Sequence, residues 1–389
     1  MRRSPSTGPT LPWGRRLRTF QRRLLEWFQK EKRTLPWRKT RDAYRIWISE
    51  VMLQQTRVAA VLPYYQRFLE RFPTARALAR APQEHVLEAW AGLGYYSRAR
   101  NLQRAAQQML RKHGGKFPRT LEDALALPGV GRYTAGAVLS MAYGVPLAAL
   151  DGNVARVVAR LGAVRGDLRR PAMWRQLEAA AATLLPASAL GAPGDWNQAM
   201  MELGATVCTP ATPSCTSCPA TFCRARALGL QHTIPQKRAK PAAVDVRLAA
   251  AVLLDPQRRT LLVRRGVRLD DVPSDEHLFS RMWQFPAVRV ANGDASELRR
   301  HLRDDLGIDA TECLTLPAAR HTVTFHRITL LPFLVPVEVL PALWRTGSER
   351  GESIHVPLEE VSRWPTSSAT RKIARAGLRS GQSSLPFSA

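Results

Sequence analysis

Acidic residues are scarce in this sequence: 31 Asp and Glu stand against 58 Lys and Arg, a formal charge of +27 over 389 residues. That excess disfavours acidic small molecules as substrates and favours polyanions, nucleic acid first and an anionic membrane surface second. Long hydrophobic runs are missing too. The longest charge-free, apolar-leaning stretch, Tyr133 to Leu150, is broken by Gly136, Gly144 and Pro146, which excludes a bilayer-spanning helix. The first 40 residues hold twelve Lys and Arg, with Glu26 and Glu31 their only acids, and no apolar run of a secretory signal. No export is therefore expected, and residues 1–14 read as a basic disordered arm, with an organellar transit role for Met1 to Arg18 left open. Cysteine is rare: four of the five, Cys208, Cys215, Cys218 and Cys223, fall within 16 residues, and Cys313 stands alone. In a chain that is not exported, that clustering points to a metal group rather than to disulfides.

What is present organises into two parts. From residue 15 to 230 the pattern is helical, with one-faced stripes such as Leu17, Phe20, Leu24 and Phe28, or Tyr44, Trp47, Ile48 and Val51, and Val58, Leu62, Tyr65 and Leu69. Turns are expected at Pro36, Pro63, Pro73, Gly92-Leu93-Gly94 and Gly114-Gly115. Residues 231–243 read as an exposed linker. Beyond it, strand-like runs at Val244–Leu254, Thr260–Arg264, Trp283–Val290 and Thr322–Val335, with helices at Ser296–Leu306 and Ala369–Ala376, predict an α+β domain over residues 244–376. Residues 377–389 read as a disordered tail.

Two local patterns carry chemistry. Gly129-Val130-Gly131 sits between helical stretches, Leu121–Leu127 and Arg132–Tyr143. Such a turn presents the free amides of the next helix to an anion, so it can hold a phosphate without reading a base. Twenty residues after Gly131 comes Asp151-Gly152-Asn153, ahead of a helical Val154–Leu161. Asp151 and Asn153 compete for the cap of that helix. An acid returning beside a phosphate site is unfavourable unless it opposes a developing cation, and we read Asp151 as catalytic.

At this point the sequence resembles the helix-hairpin-helix DNA glycosylases, and within them the MutY-type adenine glycosylases. The strings that carry the resemblance are Leu35-Pro36-Trp37-Arg38, Ser49-Glu50-Val51-Met52-Leu53-Gln54-Gln55-Thr56, Gly92-Leu93-Gly94-Tyr95-Tyr96, the hairpin, the Asp151 turn and Asn197-Gln198-Ala199-Met200-Met201-Glu202-Leu203-Gly204. The resemblance implies a multidomain protein: an all-α helix-hairpin-helix glycosylase domain with an iron–sulfur cluster loop, plus a C-terminal α+β Nudix-like domain that senses 8-oxoguanine. It implies excision of adenine mispaired with 8-oxoguanine or guanine in duplex DNA, by a monomer that flips the base out of the stack. The setting would be cytoplasmic and nucleoid-associated in a bacterium, nuclear or mitochondrial in a eukaryote.

Residue by residue, the resemblance makes Glu50 the acid that protonates adenine and Asp151 the carboxylate opposing the sugar cation. Tyr133 and Asn153 would support Asp151 by hydrogen bonds. Tyr133 also stands where bifunctional relatives carry a Schiff-base lysine, so strand cleavage by β-elimination is not expected. Leu53, Gln54, Gln55 and Tyr95 would enter the stack, Gln198 would read the adenine edge, and Trp37 and Arg38 would line or support the pocket. Gly129, Val130 and Gly131 would hold backbone phosphate. The four cysteines, spaced C-x6-C-x2-C-x4-C, would hold one [4Fe–4S] cluster, with zinc the alternative and the last gap one residue shorter than the family's. Thr209 to Ser214 lacks the basic residues the family often has there, which leaves Arg224 and Arg226 as candidates for phosphate contact. In the C-terminal domain Leu278 to Pro286 resembles the start of a Nudix fold. Its helix Glu297–Gly307 is too basic to gather magnesium, so binding without hydrolysis is expected. Thr324 or His326 would contact the oxidised guanine.

Overall fold

The computed structural model describes residues 14–168, 170–186, 191–236, 242–264, 282–291, 295–323, 325–343 and 351–380. The basic arm through residue 13, Leu278 to Arg281, Thr324 and the tail beyond 380 lie outside them. The chain divides into two compact units, Met1–Ala239 and Lys240–Ala389.

The first unit is all helix. It runs through α1 (Gly14–Glu31), α2 (Ala43–Leu53), α3 (Val58–Arg71), α4 (Ala75–Arg80), α5 (Gln83–Ala89), α6 (Ser97–Lys112) and α7 (Leu121–Leu125). It continues with α8 (Arg132–Tyr143), α9 (Gly152–Gly162), α10 (Pro171–Leu184), α11 (Pro193–Thr206) and α12 (Arg224–Ala227). Two cores divide it. One gathers apolar residues of α2 to α8 around Trp47, Phe68 and Trp90. The other joins α1 to α9–α12 around Phe20, Leu24, Val158 and Trp196. The chain thus leaves the second core after α1, builds the first, and returns through the α8–α9 connection, so any cleft between the cores is bordered by α2, α8 and the start of α9.

Pro63 lies inside α3 rather than in a turn. A mid-helix proline forfeits one backbone bond, but Val61, Tyr65 and Phe68 are buried on the same helix and their burial outweighs that loss. The buried stripe is accordingly Val61, Tyr65 and Phe68, with Val58, Leu62 and Leu69 at its flank.

The second unit is α+β. β1 (Val244–Leu254) pairs in parallel with β6 (His326–Pro336) over its whole length, and β3 (Ala287–Arg289), β4 (Leu314–Thr315) and β5 (Ala319–Val323) complete that sheet. β2 (Arg259–Arg264) and β7 (Glu352–Pro357) form a second, antiparallel pair. The C-terminal half of β1 is buried throughout because both faces are covered, one by Leu298 and Leu302 of α13 (Ser296–Leu306), the other by Ile373 of α14 (Ser368–Ser380). Two expectations change here. Thr322–Val335 is not one strand but the end of β5 and most of β6, which fold back on each other with Val323 opposite His326. α14 continues through Gly377 to Ser380, residues read from the sequence as tail, because Gly377 packs against Leu358, Val252 and Leu316.

Candidate active site

α2 begins at Asp42, whose carboxylate accepts the amides of Tyr44 and Arg45. Its residues from Ala43 to Met52 are buried almost without interruption, and Glu50 is carried into that interior with 4% exposure. Tyr133, in the first turn of α8, donates its phenol to Glu50 Oε2 at 2.5 Å. Burial pushes the Glu50 carboxyl up to about 7; the Tyr133 hydrogen bond opposes the rise, the nearby Asp151 charge adds to it, and Arg38 opposes it. Burial, then the two acids, hold the Tyr133 phenol well above its ordinary range, so it remains a donor at any physiological pH.

Asp151 is the N-cap of α9: Oδ1 accepts the amide of Val154 at 2.7 Å and Oδ2 accepts Asn153 Nδ2 at 2.9 Å. Burial raises its pKa, and the Val154 and Asn153 hydrogen bonds and Arg156 pull the other way. Asn153 Oδ1 accepts Arg156 Nη2 at 2.9 Å, and Arg156 donates further to the carbonyls of Gly204 and Cys208, each at 2.8 Å. Asn153 therefore supports Asp151 as expected. Tyr133 makes no hydrogen bond to Asp151, although the Asp151 charge reaches it; its phenol donates to Glu50 and lies 3.8 Å from Met201 Sδ. Capping and a catalytic role are compatible for Asp151, since the cap fixes the carboxyl group in place.

Gly204 brings α11 onto this turn. A Cβ there would stand 2.8 Å from Asn153 Cβ and 3.0 Å from its carbonyl oxygen. Gly204→Ala must displace Asn153 and should cost about 1–3 kcal/mol of stability by overpacking, seen as a lowered Tm together with slower excision in single-turnover assays. A lowered Tm with unchanged excision would show that Asn153 need not hold its place.

A second ionic group borders Glu50. Glu202, 1% exposed, is gripped by Arg33 through Nε and Nη2 and by Arg38 through Nη2, each at 2.7 Å. Burial alone would raise its pKa, but the arginine hydrogen bonds hold it down at about 2. Arg38 is thus anchored to Glu202 while its charge reaches Glu50, which makes it a support of the acid. Trp37 is buried edge-on against Tyr65 at 5.2 Å. Gln198 is half-buried on α11. Its neighbour Asn197 is fully engaged, donating to Ser140 Oγ and the Leu147 carbonyl and accepting the Ala149 amide, and so holds α11 to the α8–α9 connection. Arg33, Glu202, Asn197 and Arg156 were not singled out from the sequence. Glu202 and Asn197 lie in a quoted string, which is the only signal they offered.

The hairpin has the form expected. Gly129 takes φ +75°, Val130 is buried, and Gly131 caps α8 with no side chain over the first amides. A Cβ on Gly129 would meet Asn101 Cβ at 2.8 Å. Leu53 ends α2, Gln54 reaches Thr134, and Gln55 is exposed at φ +56°. Tyr95 is 51% exposed at φ +48°. Positive φ on non-glycine residues is costly, and it turns these two side chains outward.

The four clustered cysteines are half-buried and unbridged. Arg160 Nη1 donates to Cys208 Sγ at 3.3 Å and to the Thr209 carbonyl at 2.7 Å. Burial pushes Cys218 up to about 11, and charges on the other three cysteines add to that. Arg226, a sequence candidate for phosphate contact, donates instead to the Cys215 carbonyl at 2.8 Å; Arg224 is exposed. Among the described residues, no three His, Cys, Asp or Glu side chains are gathered closely enough to ligate one shared ion. In the second unit His326 is buried at the start of β6, and the adjacent Phe325 is exposed.

Comparison with known proteins places this geometry. The HhH-GPD superfamily of base excision DNA repair proteins matches residues 48–181, the stretch holding both acids and the hairpin. The human adenine DNA glycosylase is 49% identical over 217 residues, 53% of this chain and 39% of that one. The Arabidopsis thaliana adenine DNA glycosylase is 36% identical over 317 residues, 71% of this chain and 48% of that one. That alignment is longer than the first unit and so reaches into the second. The chain thus spans less than half the length of these two relatives. It covers 84% of the adenine DNA glycosylase of Mycolicibacterium smegmatis, to which it is 40% identical over 250 residues. On that match, the chain belongs to the adenine DNA glycosylase family.

Proposed function

We propose that the chain is a monofunctional glycosylase that excises adenine from A:8-oxoguanine and A:G mismatches in duplex DNA. The observation that carries this reading is the convergence of Glu50 and Asp151: one acid from each core, close enough that Asp151 raises the pKa of Glu50. Two carboxyl groups held in different protonation states suit cleavage of a glycosidic bond. Glu50, neutral in part at pH 7, can give its proton to the departing base while Tyr133 steadies the remaining carboxylate. Asp151, fixed by the Val154 amide and Asn153, faces the sugar as positive charge develops. No lysine follows the hairpin, where Arg132 and Tyr133 stand, so no Schiff base forms there. Gln198 on α11 is the candidate reader of the adenine edge.

The test is single-turnover cleavage of labelled duplex with A opposite 8-oxoguanine, with and without alkali. Breaks only after alkali support the proposal. Breaks without alkali would make the chain a lyase, and no breaks a binding protein.

The cysteine loop is read as holding one [4Fe–4S] cluster. The donor set fits, because such a cluster offers a separate iron to each of four thiolates, whereas zinc needs all four on one ion. Buried thiols whose ionisation is costly also suit a cationic centre that would pay for their charge, and Arg160 already donates to Cys208. When bound, the cluster supplies a rigid tie across the loop. The purified chain should show a broad visible absorbance that Cys218→Ser removes, with a lowered Tm; a colourless protein carrying zinc would overturn this. The second unit is read as a Nudix-like domain that recognises the oxidised guanine. His326 is buried at the start of β6, and the adjacent Phe325 is exposed.

A further inference from the structure

Arg98 is a charged side chain in the wrong place for a charge: the second residue of α6, 8% exposed. Its Nη1 donates to the carbonyls of Val51, Met52 and Gln54, at 2.9, 2.9 and 2.6 Å. Its Nη2 reaches Thr56 Oγ1 and the carbonyls of Leu93 and Gly94, each at 3.2 Å. The guanidinium also lies over the rings of Trp90 and Tyr95, 5.3 and 5.5 Å from their centroids. One planar cation therefore closes the C-terminal end of α2, where carbonyls lack helical partners, and at the same time ties down the Gly92–Gly94 turn.

These two segments carry the two outward-turned residues, Gln55 and Tyr95, each at positive φ. An αL residue without glycine persists only where its surroundings over-determine it. The acceptors that flank Gln55, on Gln54 and Thr56, and those just before Tyr95, on Leu93 and Gly94, are all held by this one side chain. We infer that Arg98 is a positioning residue that couples the two loops, so that Gln55 and Tyr95 meet DNA as one preset wedge. This rests on the proposed role of Gln55 and Tyr95 in the stack. A lysine could not substitute fully, since an ammonium has three donors and no planar fork to bridge two loops.

The test is a double-mutant cycle on the full chain. Probes are duplexes carrying a non-cleavable adenine analogue opposite 8-oxoguanine, and a matched duplex. Gln55→Ala and Tyr95→Ala should each reduce the ratio of mismatch to matched affinity. Arg98→Gln should reduce it by about tenfold, the equivalent of one charge-assisted hydrogen bond, and Arg98→Lys by less. In a Gln55→Ala, Tyr95→Ala background, Arg98→Gln should change the ratio less than about twofold. Its affinity for the matched duplex should stay within about twofold of that of the unaltered chain.

An Arg98→Gln effect that multiplies with the loop changes, or that weakens matched-duplex binding equally, would show a merely structural role and overturn the coupling. If instead Gln55→Ala and Tyr95→Ala leave discrimination intact, the wedge reading itself fails, and the coupling with it. Should Arg98→Gln not fold, the same cycle is read with Arg98→Lys.

Discussion

Asp151→Asn should abolish excision of adenine, by at least about a thousandfold, while leaving mismatch affinity within a few-fold. The expectation follows from what the substitution keeps and what it removes. Asn is as good an N-cap as Asp, so the bond to the Val154 amide survives and α9 keeps its start. The shape of the side chain is unchanged. What disappears is the negative charge that would face the sugar, together with one acceptor. In place of Oδ2 an amide NH2 would confront Asn153 Nδ2, donor against donor. Asn153 cannot simply turn over, because its oxygen already accepts Arg156 Nη2. A small loss of stability should therefore accompany the loss of activity. The check is single-turnover cleavage beside a binding titration and a thermal melt. Retained excision would remove Asp151 from the chemistry, and loss of binding together with excision would make its role structural.

How much of this was legible in the sequence differs from element to element, and for physical reasons. α8 was read with its observed boundaries because Gly131 and Gly144 bracket it, and glycines at helix ends are local signals. β1 and α13 were read equally well, β1 from its alternation leading into an unbroken apolar run and α13 from a one-faced helical stripe. The β5–β6 hairpin was not, because its turn holds neither Gly nor Pro and the apolar alternation passes straight through Thr322 to Val335. Pro63 misled in the opposite sense, as a local breaker overruled by burial around it.

The candidate site could be written from the sequence as a set of residues but not as a set of contacts. Glu50 and Tyr133 are 83 positions apart, and nothing local in either helix says that they touch. Glu202 and its two arginines are separated by 164 and 169 positions. Arg98 gives the least warning of all. In a helix where Arg104 and Arg111 are exposed and Arg100 is half-buried, only the fold shows which arginine points inward.

Excision should fall as pH rises above about 7, and Glu50→Gln should abolish it at every pH. A general acid must carry its proton, and burial holds the Glu50 carboxyl near 7 rather than in the ordinary carboxylate range. Above that value the protonated fraction drops tenfold per pH unit, so the single-turnover rate should decline with unit slope. Stability should follow the same titration with an informative sign. A carboxyl whose pKa is higher folded than unfolded contributes stability that is fully present below about 4.5 and is lost as pH rises through 7. The buried carboxylate is therefore a burden on the fold at alkaline pH, up to roughly 3 kcal/mol at about 1.4 kcal/mol per pKa unit. Glu50→Gln removes it and keeps an oxygen for the Tyr133 phenol. The inactive variant should match the unaltered chain in Tm near pH 4.5 and exceed it at pH 8. A buried acid kept only for structure would behave otherwise, its removal lowering Tm at both pH values and leaving no alkaline limb in the rate.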